Sequence, residues 1–296
     1  MNFDLLIAYG WQWLTLATWA ALCVGSFLNV VIYRLPVMMD KDWRAQAEEF
    51  LAQTKSGSTA EAASVSVAEA PTFNLSVPRS RCGSCGHQIR SWENIPILSW
   101  FFLRGKCSAC NTTISWRYPG VEALTAGLTL VVIAIYGFTW FGLATCFFTW
   151  ALLALTFIDY DTKLLPDQIT LPLLWLGLFA NGFFSGIVSL HDAVLGAIFG
   201  YLFLWLTFWG FKLITGKEGM GYGDFKLLAA LGAWLGWMAL PGIILIAALT
   251  GLSYAIFRLA LRRQTTAEPI PFGPFLAVAG WVTLGFRDSV LGLFLA

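Results

Sequence analysis

Two aspartates that border apolar stretches are the residues in this sequence best suited to chemistry. Asp224 directly precedes an apolar run that starts at Phe225, and Asp159 directly follows one that ends at Ile158. A carboxylate at the mouth of a membrane segment is costly, which makes a functional role the default expectation. Two close carboxylates cannot both ionise easily, so they share a proton. One can then take a proton from water while the other polarises a peptide carbonyl, as in an aspartic protease.

Glycines surround the second of these aspartates. Gly219, Gly221 and Gly223 alternate with other residues immediately before Asp224. Residues without a Cβ allow the backbone to unwind where a helix would otherwise begin. We therefore interpret Gly221 and Gly223 as a flexible motif that lets the two acids close when a substrate binds.

The acids that follow Asp159 have a simpler interpretation. Asp161 and Asp167 lie in the same predicted loop as Asp159, and we interpret both as solvated acids at a membrane border. Asp167 comes directly after Pro166 and is expected to cap the following helix. The protease hypothesis therefore depends on Asp159 and Asp224.

Four of the six cysteines form two Cys-x-x-Cys pairs, and 21 residues separate the pairs: Cys82, Cys85, Cys107 and Cys110. This spacing is close to that of a four-cysteine zinc ribbon, which is a closed structural site. A cytoplasmic location would keep the thiols reduced and so favour a metal over a disulfide. A redox pair and a site without metal are the alternatives. His87 is interpreted as a bystander that could at most replace one cysteine.

The composition identifies the elements that must position these groups as membrane helices. The chain has 296 residues, of which 58% are hydrophobic and 12% are charged, and its mean hydropathy is +0.70. These values exclude a soluble globule and predict an all-α polytopic membrane protein. About eight transmembrane helices are predicted, with a turn at Pro241-Gly242 dividing the sixth from the seventh. Their approximate intervals are 11–33, 121–137, 139–158, 169–188, 191–212, 225–240, 241–260 and 272–294.

The positions of lysine and arginine predict the orientation of these helices. With the first span entering from outside, 17 of the 18 positive residues fall on one side, and only Arg287 falls on the other. Arg34 and Arg117, which flank the one long loop, agree with the short loops. The positive-inside rule then places the N-terminus in the periplasm and both aspartates at the cytoplasmic face.

Three domains follow from this reading. Residues 1–33 are the first transmembrane helix, residues 34–120 a cytoplasmic loop with the small zinc-ribbon-like domain, and residues 121–296 the membrane peptidase domain. Within the loop, 40–52 has the spacing of a short amphipathic helix. Residues 53–71 are rich in Ala, Ser, Thr and Glu, which indicates a flexible spacer. The role of this 40–71 insert is not assigned, and no nucleic-acid partner is expected.

Four motifs in order resemble the bacterial prepilin peptidases, a family of G-x-G-D membrane aspartyl proteases. The signature lies at Gly221–Asp224, and Asp159 precedes the signature aspartate by 65 residues and has Pro166 seven positions later. The segment Gly25–Pro36 resembles the N-terminal hallmark of the family. The two Cys-x-x-Cys pairs complete the resemblance, which covers nearly the whole chain.

The resemblance implies a bifunctional enzyme of the bacterial inner membrane. Such an enzyme cuts the basic leader of type IV prepilins and type II secretion pseudopilins after a glycine, usually before a phenylalanine. It then N-methylates the new N-terminus with S-adenosylmethionine. By this resemblance Asp159 and Asp224 are the catalytic pair, and Cys82, Cys85, Cys107 and Cys110 are the zinc ligands.

The site of methyl transfer is not identified, although the segment 25–36 and the zinc domain are the expected region. In that segment, Asn29 and Arg34 could equally be an ordinary span end with an arginine that extends to water. Three alternatives for the whole chain are a peptidase of this class without methyl transfer, a transporter or channel, and a membrane scaffold. The oligomeric state is not assigned.

Overall fold

The protein is helical throughout the part that the structure covers. The computed structural model describes residues 10–56, 73–217, 219–261 and 270–295. Within these ranges there is no β-strand, and only two isolated β-bridges, Arg81–Gln88 and Lys106–Thr113, interrupt the helical pattern. The prediction of an all-α fold is confirmed.

Ten α-helices connect in short steps within the described residues. They are α1 Gly10–Ser56, α2 Leu98–Phe102, α3 Arg117–Tyr136, α4 Trp140–Thr162, α5 Asp167–Phe183, α6 Leu190–Thr215, α7 Tyr222–Leu235, α8 Leu240–Ala260, α9 Gly273–Gly285 and α10 Arg287–Leu295. Two 3₁₀ turns, Ser91–Asn94 and Trp237–Ala239, separate α1 from α2 and α7 from α8.

Each interval predicted to cross the membrane contains a helix. Five segments in the described ranges are long and apolar enough to cross: α1, α3, α4, α6 and the segment Trp237–Ala260, which contains α8. By contrast, α7 has 14 residues and α9 has 13, fewer than the roughly 20 that a perpendicular span needs. The last predicted interval is divided between α9 and α10, because the helix ends at Gly285.

The predicted amphipathic helix at 40–52 is not a separate element. It is the continuation of α1, which runs through Pro36 as one helix of 47 residues. Near that proline, the Arg34 guanidinium donates hydrogen bonds to the carbonyl oxygens of Asn74, Leu75 and Pro78. These bonds tie the helix to the loop that contains the three residues. Most of the predicted spacer, residues 57–71, lies outside the described residues.

The division between α7 and α8 also differs from the prediction. It lies at Gly236, where φ is +82°, and not at Pro241-Gly242. A glycine adopts a positive φ at little cost. Pro241 instead lies in the first turn of α8, a position where its missing N–H is not needed.

The described residues form two compact units: the first is Leu22–Ala123, and the second holds the residues before Leu22 together with those from Leu124 onward. Helix α7 is the centre of the second unit, and every residue from Leu227 to Leu235 is buried. Asn181 on α5 donates hydrogen bonds to the carbonyls of Ala233 and Trp234 at 2.9 and 3.0 Å. These bonds fix the position of α7 along its own axis.

Close backbone packing holds α7 against α6. A Cβ at Gly232 would collide with the backbone of Gly196, and a Cβ at Gly200 would lie 2.6 Å from the carbonyl oxygen of Leu228. Small residues allow two helix backbones to approach this closely. The N-terminal end of α7, which carries Asp224, is therefore held by a well-packed helix.

Candidate active site and metal centre

Asp159 lies in the last turn of α4, which extends to Thr162, four residues beyond the predicted end of the span. The helix ends at Lys163, whose φ of +58° and N–H bond to the Asp159 carbonyl close the last turn. The Asp159 side chain is buried. Its Oδ2 accepts a hydrogen bond of 2.9 Å from the backbone N–H of Gly273, the first residue of α9. Asp161 lies on the same helical turn, and not in a loop as predicted.

Asp224 lies in the first turn of α7 and is also buried. Its Oδ1 has no hydrogen-bond partner within the ranges that the structure describes. A buried carboxyl oxygen without a donor is costly unless the group is protonated or a ligand meets it.

The two predicted aspartates lie close enough for the charge of Asp159 to act on Asp224. Leu165, in the turn between α4 and α5, fills the space between the segments that carry them. A Cβ on Gly223 would lie 2.6 Å from Leu165 Cβ, and one on Gly273 would lie 3.1 Å from Leu165 Cδ2. The end of α4, the start of α7 and the start of α9 therefore converge on one buried site.

The glycines near Asp224 have different roles in this arrangement. Gly221 precedes α7 in an extended conformation, with φ of −79°, whereas Gly223 is already inside the helix. At Gly223 the close contact with Leu165 explains why a side chain would not fit. The flexibility of the motif stays a prediction.

An ion pair that the sequence did not predict braces the start of α7. Lys226 Nζ lies 2.7 and 2.6 Å from the two carboxylate oxygens of Asp167, the first residue of α5. The prediction that Asp167 caps α5 is wrong, because Pro166 occupies the cap position and no side chain caps the helix. The sequence feature that could have indicated this ion pair is Lys226 itself, a lysine inside an apolar run two residues after Asp224.

The four cysteines of the two pairs meet in the first unit. Their sulfur atoms all lie within 4.8 Å of one another. Cys82 Sγ lies 3.8 Å from Cys110 Sγ, and Cys85 Sγ lies 4.0 Å from Cys107 Sγ. All four are free of disulfides. Tetrahedral thiolate ligation of one ion requires this kind of clustering.

Two similar turns present the sulfur atoms. In the first, the Cys82 N–H donates to the His87 carbonyl, and Gly86 closes the turn with φ of +72°. In the second, the Cys107 N–H donates to the Thr112 carbonyl, and Asn111 takes the same place with φ of +57°. Gly and Asn are the residues that adopt this conformation most easily.

The electrostatics of the cluster fit a cation. Hydrogen bonds from Thr112 lower the pKa of Cys110 to about 6. The backbone N–H of His87 favours the thiolate of Cys85. The neighbouring cysteine side chains, above all Cys110, act in the opposite direction and raise the pKa of Cys85 to about 11. Four adjacent thiolates repel one another unless a metal compensates their charge.

His87 lies beside the cluster and makes other bonds. Its Nε2 is 3.2 Å from Glu93 Oε2, which also accepts the backbone N–H of Arg90 at 2.8 Å. Hydrogen bonds from Arg90 and from Ser108 lower the pKa of Glu93 to about 2. Glu93 therefore joins the first turn to Ser108 in the second, a link that the sequence did not indicate.

Buried polar groups also occur in the segment that resembles the N-terminal hallmark. Arg34 is buried and donates to three carbonyls, so it does not extend to water. Asn29 donates to the carbonyl of Tyr118 at 3.1 Å. Glu122, which the sequence analysis missed, accepts the N–H of Ile97 at 2.7 Å. These bonds organise the first unit around α1 and the start of α3.

Two family models cover most of the chain. Residues 19–136 match the bacterial Peptidase A24 N-terminal domain. Residues 146–256, which include both aspartates, match the type IV leader peptidase family.

Curated relatives match over nearly the full length. A protein of Aeromonas hydrophila is 51% identical over 98% of this chain and 97% of its own length. One of Stutzerimonas stutzeri is 53% identical over 93% and 91%, and one of Pseudomonas aeruginosa is 52% identical over 93% and 90%. All three are named prepilin leader peptidase/N-methyltransferase. No solved structure matches the chain. The chain belongs to the type IV leader peptidase family.

Proposed function

We propose that this chain cleaves the leader of type IV prepilins and type II secretion pseudopilins, and then N-methylates the new N-terminal residue. The names of the relatives support both activities. The single structural observation that carries the peptidase half is the meeting of Asp159 and Asp224 in one buried site.

The hydrogen bonds of the pair suggest a division of roles. Asp159 accepts the Gly273 N–H, an interaction that favours a carboxylate, whereas Asp224 Oδ1 lacks a donor, which favours the acid form. Asp159 takes a proton from water as the water oxygen adds to the scissile carbonyl carbon. Asp224 donates its proton to the carbonyl oxygen. The tetrahedral intermediate then collapses: the C–N bond breaks, and the amine leaves with a proton returned through the pair.

The charge pattern of the chain supports a cytoplasmic position for this site in the bacterial inner membrane. With 17 of 18 positive residues on one side, the ends of α4 and α7 that carry the aspartates face the cytoplasm. A prepilin has a basic leader in the cytoplasm and an apolar helix in the membrane. The site lies where these two parts join, so water reaches the peptide bond without crossing lipid.

The four-cysteine cluster would hold a structural zinc ion through Cys82, Cys85, Cys107 and Cys110. Zinc bound there supplies a cross-link between the two turns and leaves no open position for catalysis. S-adenosylmethionine supplies the methyl group for the second reaction. The first unit, with its buried Arg34 and Glu122, is where we place that reaction, without assigning catalytic residues.

Co-expression with a candidate prepilin tests the proposal. Mass spectrometry of the pilin N-terminus should show a processed and methylated terminus with the unaltered chain, and an uncut leader with Asp224→Asn or Asp159→Asn. Asp161→Asn is the matched control on the same turn as Asp159, and it should leave cleavage intact. Complete cleavage by Asp224→Asn would refute the assignment of the pair. If the unaltered chain produces a cleaved but unmethylated pilin N-terminus, the methyltransferase half of the proposal is refuted and the peptidase half stands.

A further inference from the structure

The short helix α2 in the cysteine-rich part of the first unit displays an apolar face. Leu98, Phe101 and Phe102 recur at positions i, i+3 and i+4, which places them on one side of the helix. Phe101 and Phe102 are 74% and 79% exposed, and Leu98 is also exposed. Exposed adjacent phenylalanines of this kind indicate an interaction surface.

The opposite side of α2 is anchored, so this apolar face cannot turn inward. Trp100 donates from Nε1 to the Ile114 carbonyl at 3.2 Å. Its ring occupies the space beside Gly105, where a Cβ would lie 2.9 Å away. At the start of the helix, the Ile97 N–H donates to the buried carboxylate of Glu122 at 2.7 Å.

The segment that carries this face is basic. Residues 73–117 contain six lysines and arginines and a single acid, Glu93, which gives +5, and a zinc ion held by four thiolates would add −2 and leave a net charge of about +3. Glu93 is itself bound by the Arg90 N–H and His87. Five of the six basic side chains are exposed: Arg79, Arg81, Arg90, Arg104 and Lys106.

Charge excludes two possible occupants of the face. The basic leader of a prepilin would be repelled, and a second copy would bring the same positive charge against this one. An anionic bilayer surface complements both the charge and the aromatic groups. The segment is also joined directly to a candidate membrane span, because α3 begins at the residue after Trp116. The Trp116 side chain is 76% exposed.

We propose that α2 docks on the anionic surface of the bilayer, with Leu98, Phe101 and Phe102 among the lipid headgroups and the exposed arginines of the same segment at the phosphates. This docking rests on the proposed cytoplasmic position of the domain, and not on the peptidase chemistry. It would hold the cysteine-rich domain against the membrane surface from which the substrate's N-terminus emerges.

Site-specific photo-cross-linking in the full-length protein tests the docking. A benzophenone amino acid replaces Phe102, and the protein is reconstituted in vesicles that contain phosphatidylglycerol or only phosphatidylcholine. Mass spectrometry then detects lipid adducts. The matched control carries the same probe in place of Ser84, an exposed residue in the first cysteine turn. Adducts should form at position 102, with a yield at least several times that at position 84.

The charge dependence is the second measurement. Arg81→Gln and Arg104→Gln should each lower the yield in anionic vesicles by up to roughly fivefold at low salt. No lipid adduct at position 102, equal yields at 102 and 84, or equal yields in the two lipids would overturn the proposal. The same adducts in an Asp224→Asn background would show that docking stands independently of peptidase activity.

Discussion

Gly273→Ala is the substitution that tests the geometry of the aspartate pair most directly. A Cβ at this position would lie 2.6 Å from Asp159 Oδ2 and 3.1 Å from Leu165 Cδ2. Ordinary contact begins near 3.4 Å, so the carboxylate has to move by about 0.8 Å. This movement breaks the 2.9 Å bond from the Gly273 N–H, and a hydrogen bond to a charged group contributes about 1.5–3 kcal/mol.

The expected result is a loss of about 10- to 100-fold in kcat/KM for leader cleavage. A displacement near 1 Å of a catalytic group costs on the order of 100-fold, and the lost hydrogen bond alone corresponds to a similar factor. Cleavage of a purified prepilin by the purified enzyme, followed over time, measures this loss.

Two controls separate catalysis from folding. Gly285→Ala lies on the same helix, and its Cβ would meet no atom within 4 Å, so it should cleave at the normal rate. Thermal unfolding of Gly273→Ala is measured in parallel, because the substitution could also destabilise the start of α9. A residue with a side chain directly before a proline, here Pro274, disfavours helical backbone angles. Normal cleavage by Gly273→Ala would refute the claim that the α9 N-terminus positions Asp159.

Two further perturbations test the supports of the sites. Lys226→Met removes the ion pair with Asp167, and we expect a several-fold fall in kcat because the start of α7 loses this support. Asp167→Asn should lower kcat by a similar factor. If the effects of the two substitutions simply add in the double variant, the two residues are not coupled. Cys107→Ser, or a strong chelator, should release about one zinc per chain and expose the 79–117 region to protease, while the peptidase site from Leu124 onward stays folded. Zinc analysis well below one per chain in the unaltered protein would remove the metal assignment.

The two aspartates and the four clustered cysteines could be singled out from the sequence because their signals are local. Asp159 and Asp224 stand where apolar runs end, and such positions are costly for a carboxylate. The cysteine pairs have a spacing that allows a tight turn to present two sulfurs, and the structure brings all four sulfur atoms together. In each case the chemistry of the side chain constrained where the residue could lie.

The partners of these residues could not be predicted, because their signals are not local. The donor to Asp159 is a backbone N–H 114 residues away, and any residue except proline has such a group. Glu122 was overlooked because its partner is the backbone of Ile97. Tertiary contacts also decided the helix boundaries, since α1 passes through Pro36 where Arg34 ties it to a loop.

The packing of α7 indicates which part of the active site is able to adjust to a substrate. Backbone contact between Gly232 and Gly196 prevents α7 from sliding against α6, and Asn181 fixes it against α5. Asp224 is held by this helix, so the flexibility predicted for the glycine motif is left to the residues before α7. Asp159 is held by one N–H from α9 and packed through Leu165, and we expect the α4–α5 turn and the start of α9 to move when a peptide chain enters. The strained contact expected in Gly273→Ala falls on this movable side, which is why a single methyl group there should affect cleavage more than folding.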